Sequence, residues 1–157
     1  MLAGGHPPEL RERLLALGAA VYEHPAADVA TDALVYDARH AFAEGGGAGL
    51  ERLLEQLWTA IREVLAERLI PQHRAGKLVL IGPGPGAGEF APAAIAALEN
   101  LARTLSTEWA RYRITTSVIT PGDDTDAQQL AELACFLLSP AGDYFSGCRF
   151  SLDSLGG

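Results

Sequence analysis

Residues 77–120 read KLVLIGPGPGAGEFAPAAIAALENLARTLSTEWARYRITTSVIT, and this stretch decides the fold. KLVLIG (77–82) is a continuous apolar run, the pattern of a strand buried on both faces. A break rich in glycine and proline follows. From Ala91 to Tyr112 the spacing is helical: Ile95, Leu98, Leu101, Leu105 and Trp109 share one face, beside an alanine-rich one. RITTSVIT (113–120) reads as a second strand and stops at Pro121-Gly122. Strand, helix and strand in that order are the building unit of a parallel sheet.

The same alternation extends outward. Leu10, Leu14 and Leu17 mark a helix over 8–17, with Pro7 and Pro8 at its start and Gly18 at its stop. AAVYE (19–23) and DALVYD (32–37) are strand candidates. LERLLEQLWTAIREVLAERLI (50–70) is the most periodic segment. Leu50, Leu53, Leu54, Leu57, Trp58, Ile61, Val64, Leu65 and Leu69 form one broad stripe, with Arg and Glu on the rest of the surface. Residues 126–138 predict a helix, with Asp126 as N-cap or first-turn acid and Pro140 beyond the end. GCRFSLD (147–153) closes the chain as a strand. The expectation is α/β, with a mainly parallel sheet of about five strands flanked by helices, in one domain over 1–157. Nothing in MLAGGHPPEL (1–10) reads as a buried strand.

Composition narrows the function. The chain has 157 residues, 48% of them apolar and 20% charged, which suits a packed domain rather than a disordered one. Lys and Arg number 12 against 20 Asp and Glu, and a net charge of −8 argues against a nucleic-acid binder. No apolar run is long enough to span a membrane, and the first residues lack the pattern of a secretory signal. Cys135 and Cys148 have no C-x-x-C spacing, and reduced thiols in a cytoplasmic protein are expected.

Four segments together resemble the short-chain dehydrogenase/reductase family. GKLVLIGPG, AAIAALENLARTLSTEWA and RITTSVITPG are similar to its central block. AELACFLLSPAGDYFSGCRFSLDSLGG is similar to its last helix, turn and strand. DALVYDAR stands where the family has its fourth strand and an Asn-Asn-Ala-Gly turn. The resemblance covers roughly 9–157 and implies a truncated, Rossmann-like sheet. The helix and strand at 8–23 match either the first helix and second strand of the family or the following pair.

The departures carry as much as the match. The family's Thr-Gly-x-x-x-Gly-x-Gly loop, which seats a pyrophosphate at a helix N-terminus, is not in MLAGGHPPEL. Ala91 and Ile95 stand at the positions of the family's catalytic Tyr and Lys, and a one-residue slip offers only Phe90 and Ala94. Gly82 and Pro83 stand where a carbonyl-polarising Ser is needed. The helical Asn falls near Leu57, and the Asn-Asn-Ala-Gly turn reads Tyr36-Asp37-Ala38-Arg39. Only a few residues separate Pro121-Gly122 from the last helix, so the substrate-covering segment is missing too. The expectation is therefore no catalytic residues and no cofactor-binding residues in this chain.

Other motifs read plainly. GPGPGAG (82–88) fails the G-x-G-x-x-G spacing, and Pro83 and Pro85 remove two amides, so it is expected to be a loop. GGGAG (45–49) lacks the Lys-Ser/Thr of a phosphate loop. Asp37, His40 and His73 match no metal spacing, and no metal site is expected. Asp123-Asp124-Thr125-Asp126 charges a helix start. Cys148 is expected to be a small buried apolar residue without an activating neighbour.

The wide stripe on 50–70 and the small-residue girth of 91–112 suggest burial by another subunit. The resemblance implies that these two helices pack on the same pair of a second subunit, and that the C-terminal segment makes a further contact. Interface residues are expected at Leu50, Leu53, Leu57, Trp58, Ile61, Leu65, Leu98, Leu105, Trp109, Phe150, Leu152 and Leu155. The implied function is a catalytically inactive subunit that assembles with and stabilises an active short-chain dehydrogenase homologue, as a heterotetramer. The partner would bind NAD or NADP, and the complex would act on hydroxyacyl- or ketoacyl-thioesters or similar alcohols and ketones. Two other readings are an enzyme whose nucleotide site another chain completes, and a small-ligand binding module.

Overall fold

The computed structural model describes residues 1–5, 7–24, 29–43 and 45–153. Five parallel strands make one sheet: β1 (Leu2–Gly4), β2 (Ala33–Asp37), β3 (Gly76–Ile81), β4 (Ile114–Thr120) and β5 (Cys148–Ser151). They lie side by side in chain order, with Leu34 opposite Leu78, Val79 opposite Ser117 and Ile119 opposite Phe150. Alternate residues of each strand face opposite layers. Leu34, Tyr36, Leu78, Leu80, Ile114 and Val118 face α3 (Gly46–Ile61) and α4 (Ala91–Glu108). Leu2, Val35, Val79, Ile81 and Ile119 face α1 (Pro8–Ala16) and α5 (Ala127–Leu138).

The number of strands is as expected, but one of the five differs. β1 occupies a place where no strand was expected: Leu2 is buried and opposes Val35. Residues 19–23 form no strand. They run outside β1, where the Leu2 amide donates to the Tyr22 carbonyl at 2.8 Å. A three-residue edge strand offers few outward groups, so no ladder develops. The helix at 8–16 thus follows the first strand of this sheet, and no strand follows it before β2.

The helix expected from Leu50 starts earlier, at Gly46. Gly45 and Gly46 have φ of +65° and +64°, a turn that glycine makes without strain. Arg62–Leu69 then widen into a π-helix. Val64, Leu65 and Leu69 remain buried through this widening. At α5, Asp126 is the N-cap: its carboxylate accepts from the Gln129 amide at 2.7 Å, and the Gln129 side chain accepts from the Asp126 amide. This reciprocal cap satisfies two of the helix's unpaired donors. Short α2 (Ala38–Phe42) follows β2 directly, capped by Asp37.

The interface expectation needs correction for six residues. Leu53, Leu57, Ile61, Leu65, Leu98 and Leu105 are buried inside this chain, in one cluster with β2, β3 and β4. The stripe is wide because it covers the chain's own sheet. Leu50 and Trp109 pack partly against that cluster, and Phe150 and Leu152 against the other. Trp58 remains 52% exposed, one turn from the exposed Leu54. Leu155 lies outside the described residues. No helix among the described residues is long and apolar enough to cross a membrane.

Candidate functional site

In a parallel sheet, ligands bind outside the carboxyl ends of the strands. At that edge β1 ends on Gly4, with φ of +76°. A Cβ there would lie 2.3 Å from the Asp37 carbonyl oxygen, so only glycine fits. Gly5 donates its amide to the same carbonyl at 3.2 Å. A Cβ on Gly5 would come within 2.6 Å of the His40 Cβ. The backbone after β1 is therefore approached closely, but by α2 of the same chain.

The start of α1 is equally occupied. Pro7 and Pro8 have no amide hydrogens, and the amides of Leu10 and Arg11 turn back to the Pro7 carbonyl at 3.1 and 3.4 Å. Glu9 places a carboxylate in the first turn, where it takes the positive end of the helix dipole. A pyrophosphate needs free amides and no competing anion at this point. These residues do not fit one, although the strand, glycine turn and helix are all present.

Asp37 is almost wholly buried at the end of β2. Its Oδ1 accepts from the Arg39 amide at 3.1 Å and from Arg39 Nε at 2.9 Å, and its Oδ2 accepts from Nη2 at 2.6 Å. The two side chains form a forked, charge-assisted pair. The Asp37 hydrogen bonds hold the Arg39 guanidinium more firmly protonated against its partial burial, and the Glu9 charge adds to this. The pair closes the end of β2 and takes up three of the carboxylate's roughly four acceptor positions.

The other positions of the expected chemistry are packed. Gly82 and Pro83 are buried, and a Cβ on Gly82 would meet Leu98 at 3.2 Å and Thr120 at 3.4 Å. Ala91 is buried at the first position of α4, and Ile95 is half-buried on the next turn. No hydroxyl, amine or imidazole stands at these positions. The link from β4 to α5 is drawn tight: the Gly122 amide donates to Thr125 Oγ1 at 2.7 Å, and that hydroxyl donates to the Leu152 carbonyl at 3.1 Å. The 82–88 loop folds over this link, with Gly86 against the Asp123 carboxylate. Among the described residues no cluster of His, Cys, Asp or Glu could hold a metal ion.

The sheet's other end carries a residue that the sequence reading missed. Lys77, at the start of β3, donates to the carbonyls of Leu137 at 3.1 Å and Ser139 at 2.7 Å, and pairs with Asp143. It caps the carboxyl end of α5. A cavity of about 580 Å³ opens beside it, lined by Asp32, Arg113, Ser106 and Ser146. A lysine opening an otherwise apolar strand was the available signal.

Solved structures with this arrangement include several dehydrogenases and reductases. A Bacillus thuringiensis protein provisionally named a 3-oxoacyl-reductase superposes with a TM-score of 0.66 at 12% identity, over 99% of this chain and 96% of that one. An oxidoreductase of the short-chain dehydrogenase/reductase family from Burkholderia thailandensis gives 0.64 at 18% identity, over 93% and 69%. Acetoin dehydrogenase YohF from Salmonella typhimurium gives 0.64 at 18% identity, over 92% and 67%. The fold is that of the short-chain dehydrogenases/reductases. At these identities the likeness concerns the fold alone. No family model matches the sequence, and no curated protein matches it. Within the short-chain dehydrogenase/reductase fold, this chain has five parallel strands between two helical layers, with the backbone after β1 packed against α2.

Proposed function

We propose that this chain is a non-catalytic, short-chain-dehydrogenase-like subunit that assembles with and stabilises an active homologous dehydrogenase or reductase in a hetero-oligomer. The observation that carries this reading is the carboxyl edge of the sheet. Ala91, Ile95, Gly82 and Pro83 supply no acid, base or carbonyl-polarising group there. Acid–base catalysis of hydride transfer needs such groups held together in one geometry with the cofactor. The Pro7-Pro8-Glu9 start of α1 and the His40 contact on Gly5 support the same reading for the nucleotide. Any NAD or NADP used by the complex is held by the partner. Similar solved structures include an enoyl-[acyl-carrier-protein] reductase (NADH) from Aquifex aeolicus and a 3-oxoacyl-reductase, which favours acyl-group substrates for that partner.

The contact surface on this chain is the exposed side of α3 around Leu54 and Trp58, with the small residues of α4 beside it. Phe150, stacked edge-on against Phe145 at 5.4 Å, marks a second contact at the outer edge of the sheet. Two contact surfaces suffice for a tetramer with two-fold symmetry. The test is purification of the tagged chain from its native host, with assays of the chain alone and of the recovered complex. A short-chain dehydrogenase homologue recovered in fixed ratio, with NAD(P)H turnover only in the complex, is the expected result. Turnover by the isolated chain, or a stable monomer that recovers no such homologue, contradicts the proposal.

A further inference from the structure

We draw no further inference here: the strongest candidate, the cavity of about 580 Å³ at the amino ends of β2, β3 and β4, carries nothing, because Lys77, Asp143 and Asp32 in its wall already pair within the chain and nothing in the structure shows what would fill it.

Discussion

Glu63 and Arg68 pair at 3.6 Å although they stand five positions apart in the chain. Arg62 and Glu67 pair at 3.8 Å with the same spacing. In an α-helix such partners point well apart, whereas the wider π-helical turn brings positions i and i+5 together. Arg68 is mostly buried, while Arg62 and Glu67 are well exposed. Arg68→Ala should therefore cost about 1–2 kcal/mol, through lost packing of its stem as well as its charge. Arg62→Ala should cost less than about 0.5 kcal/mol. Urea unfolding of the two variants measures both; equal losses would mean that the pairs play no part in holding the wide turn.

The contact between Gly5 and His40 predicts a coupled pair. Gly5→Ala places its new methyl on the His40 Cβ and should cost about 1–3 kcal/mol. In a His40→Gly background, which removes that Cβ, the same change should cost much less. A double-mutant cycle by chemical denaturation reads the coupling. The same Gly5→Ala penalty in both backgrounds would show that α2 is not what holds the glycine turn.

Neighbouring residues of α3 should behave in opposite ways. Leu57→Glu buries a charge in the core and should abolish folding, a loss of more than about 4 kcal/mol. Trp58→Glu should leave the unfolding midpoint within about 0.5 kcal/mol and weaken assembly with the partner. Unfolding curves and light scattering of the reconstituted complex separate the two effects. Intact assembly in Trp58→Glu would remove α3 from the interface.

Alkaline pH should unfold the chain through Tyr36. Burial lifts its phenol to about 12, and the neighbouring Asp37 charge adds to the rise. In the unfolded chain the phenol ionises near its ordinary value of about 10. The folded state thus holds the proton more tightly, so this contribution is whole below about pH 10 and disappears as pH climbs towards about 12. Tyr36→Phe should lose less stability than the parent between about pH 10 and about pH 12. Identical pH dependence in the two proteins would place the phenol in contact with water.

Much of the fold was legible because its strands are long apolar runs bounded by turn residues. Leu78–Ile81 and Ile114–Thr120 lie where their patterns put them, and Asp126 caps its helix as its spacing implies. β1 was not legible, since the three residues Leu2–Gly4 carry no periodicity, and only the register with Val35–Asp37 makes them a strand. The α3 stripe was legible as a stripe, but periodicity does not say what covers it, and Leu53, Leu57 and Ile61 proved to face the chain's own sheet. That Ala91 and Ile95 carry no acid or base could be read directly. The Gly5–His40 contact could not, because it depends on how the end of β1 meets α2, and the Asp37–Arg39 closure could not, because it depends on how β2 turns directly into α2.

The place of β1 and α1 also sets an order of assembly. β1 hydrogen-bonds only to β2 on its inner side, and α1 packs Leu10 and Leu14 against Leu130, Ala131 and Ala134 of α5. β1 and α1 precede α5 in the chain, so the surface that seats α1 is complete only after α5 has been made, and closing so long a loop is slow. The same economy operates in reverse. A unit held by one short strand edge and one helix face is the first to detach when the native state opens, exposing Val35 and the inner side of α5 while the β2–β4 core remains shut.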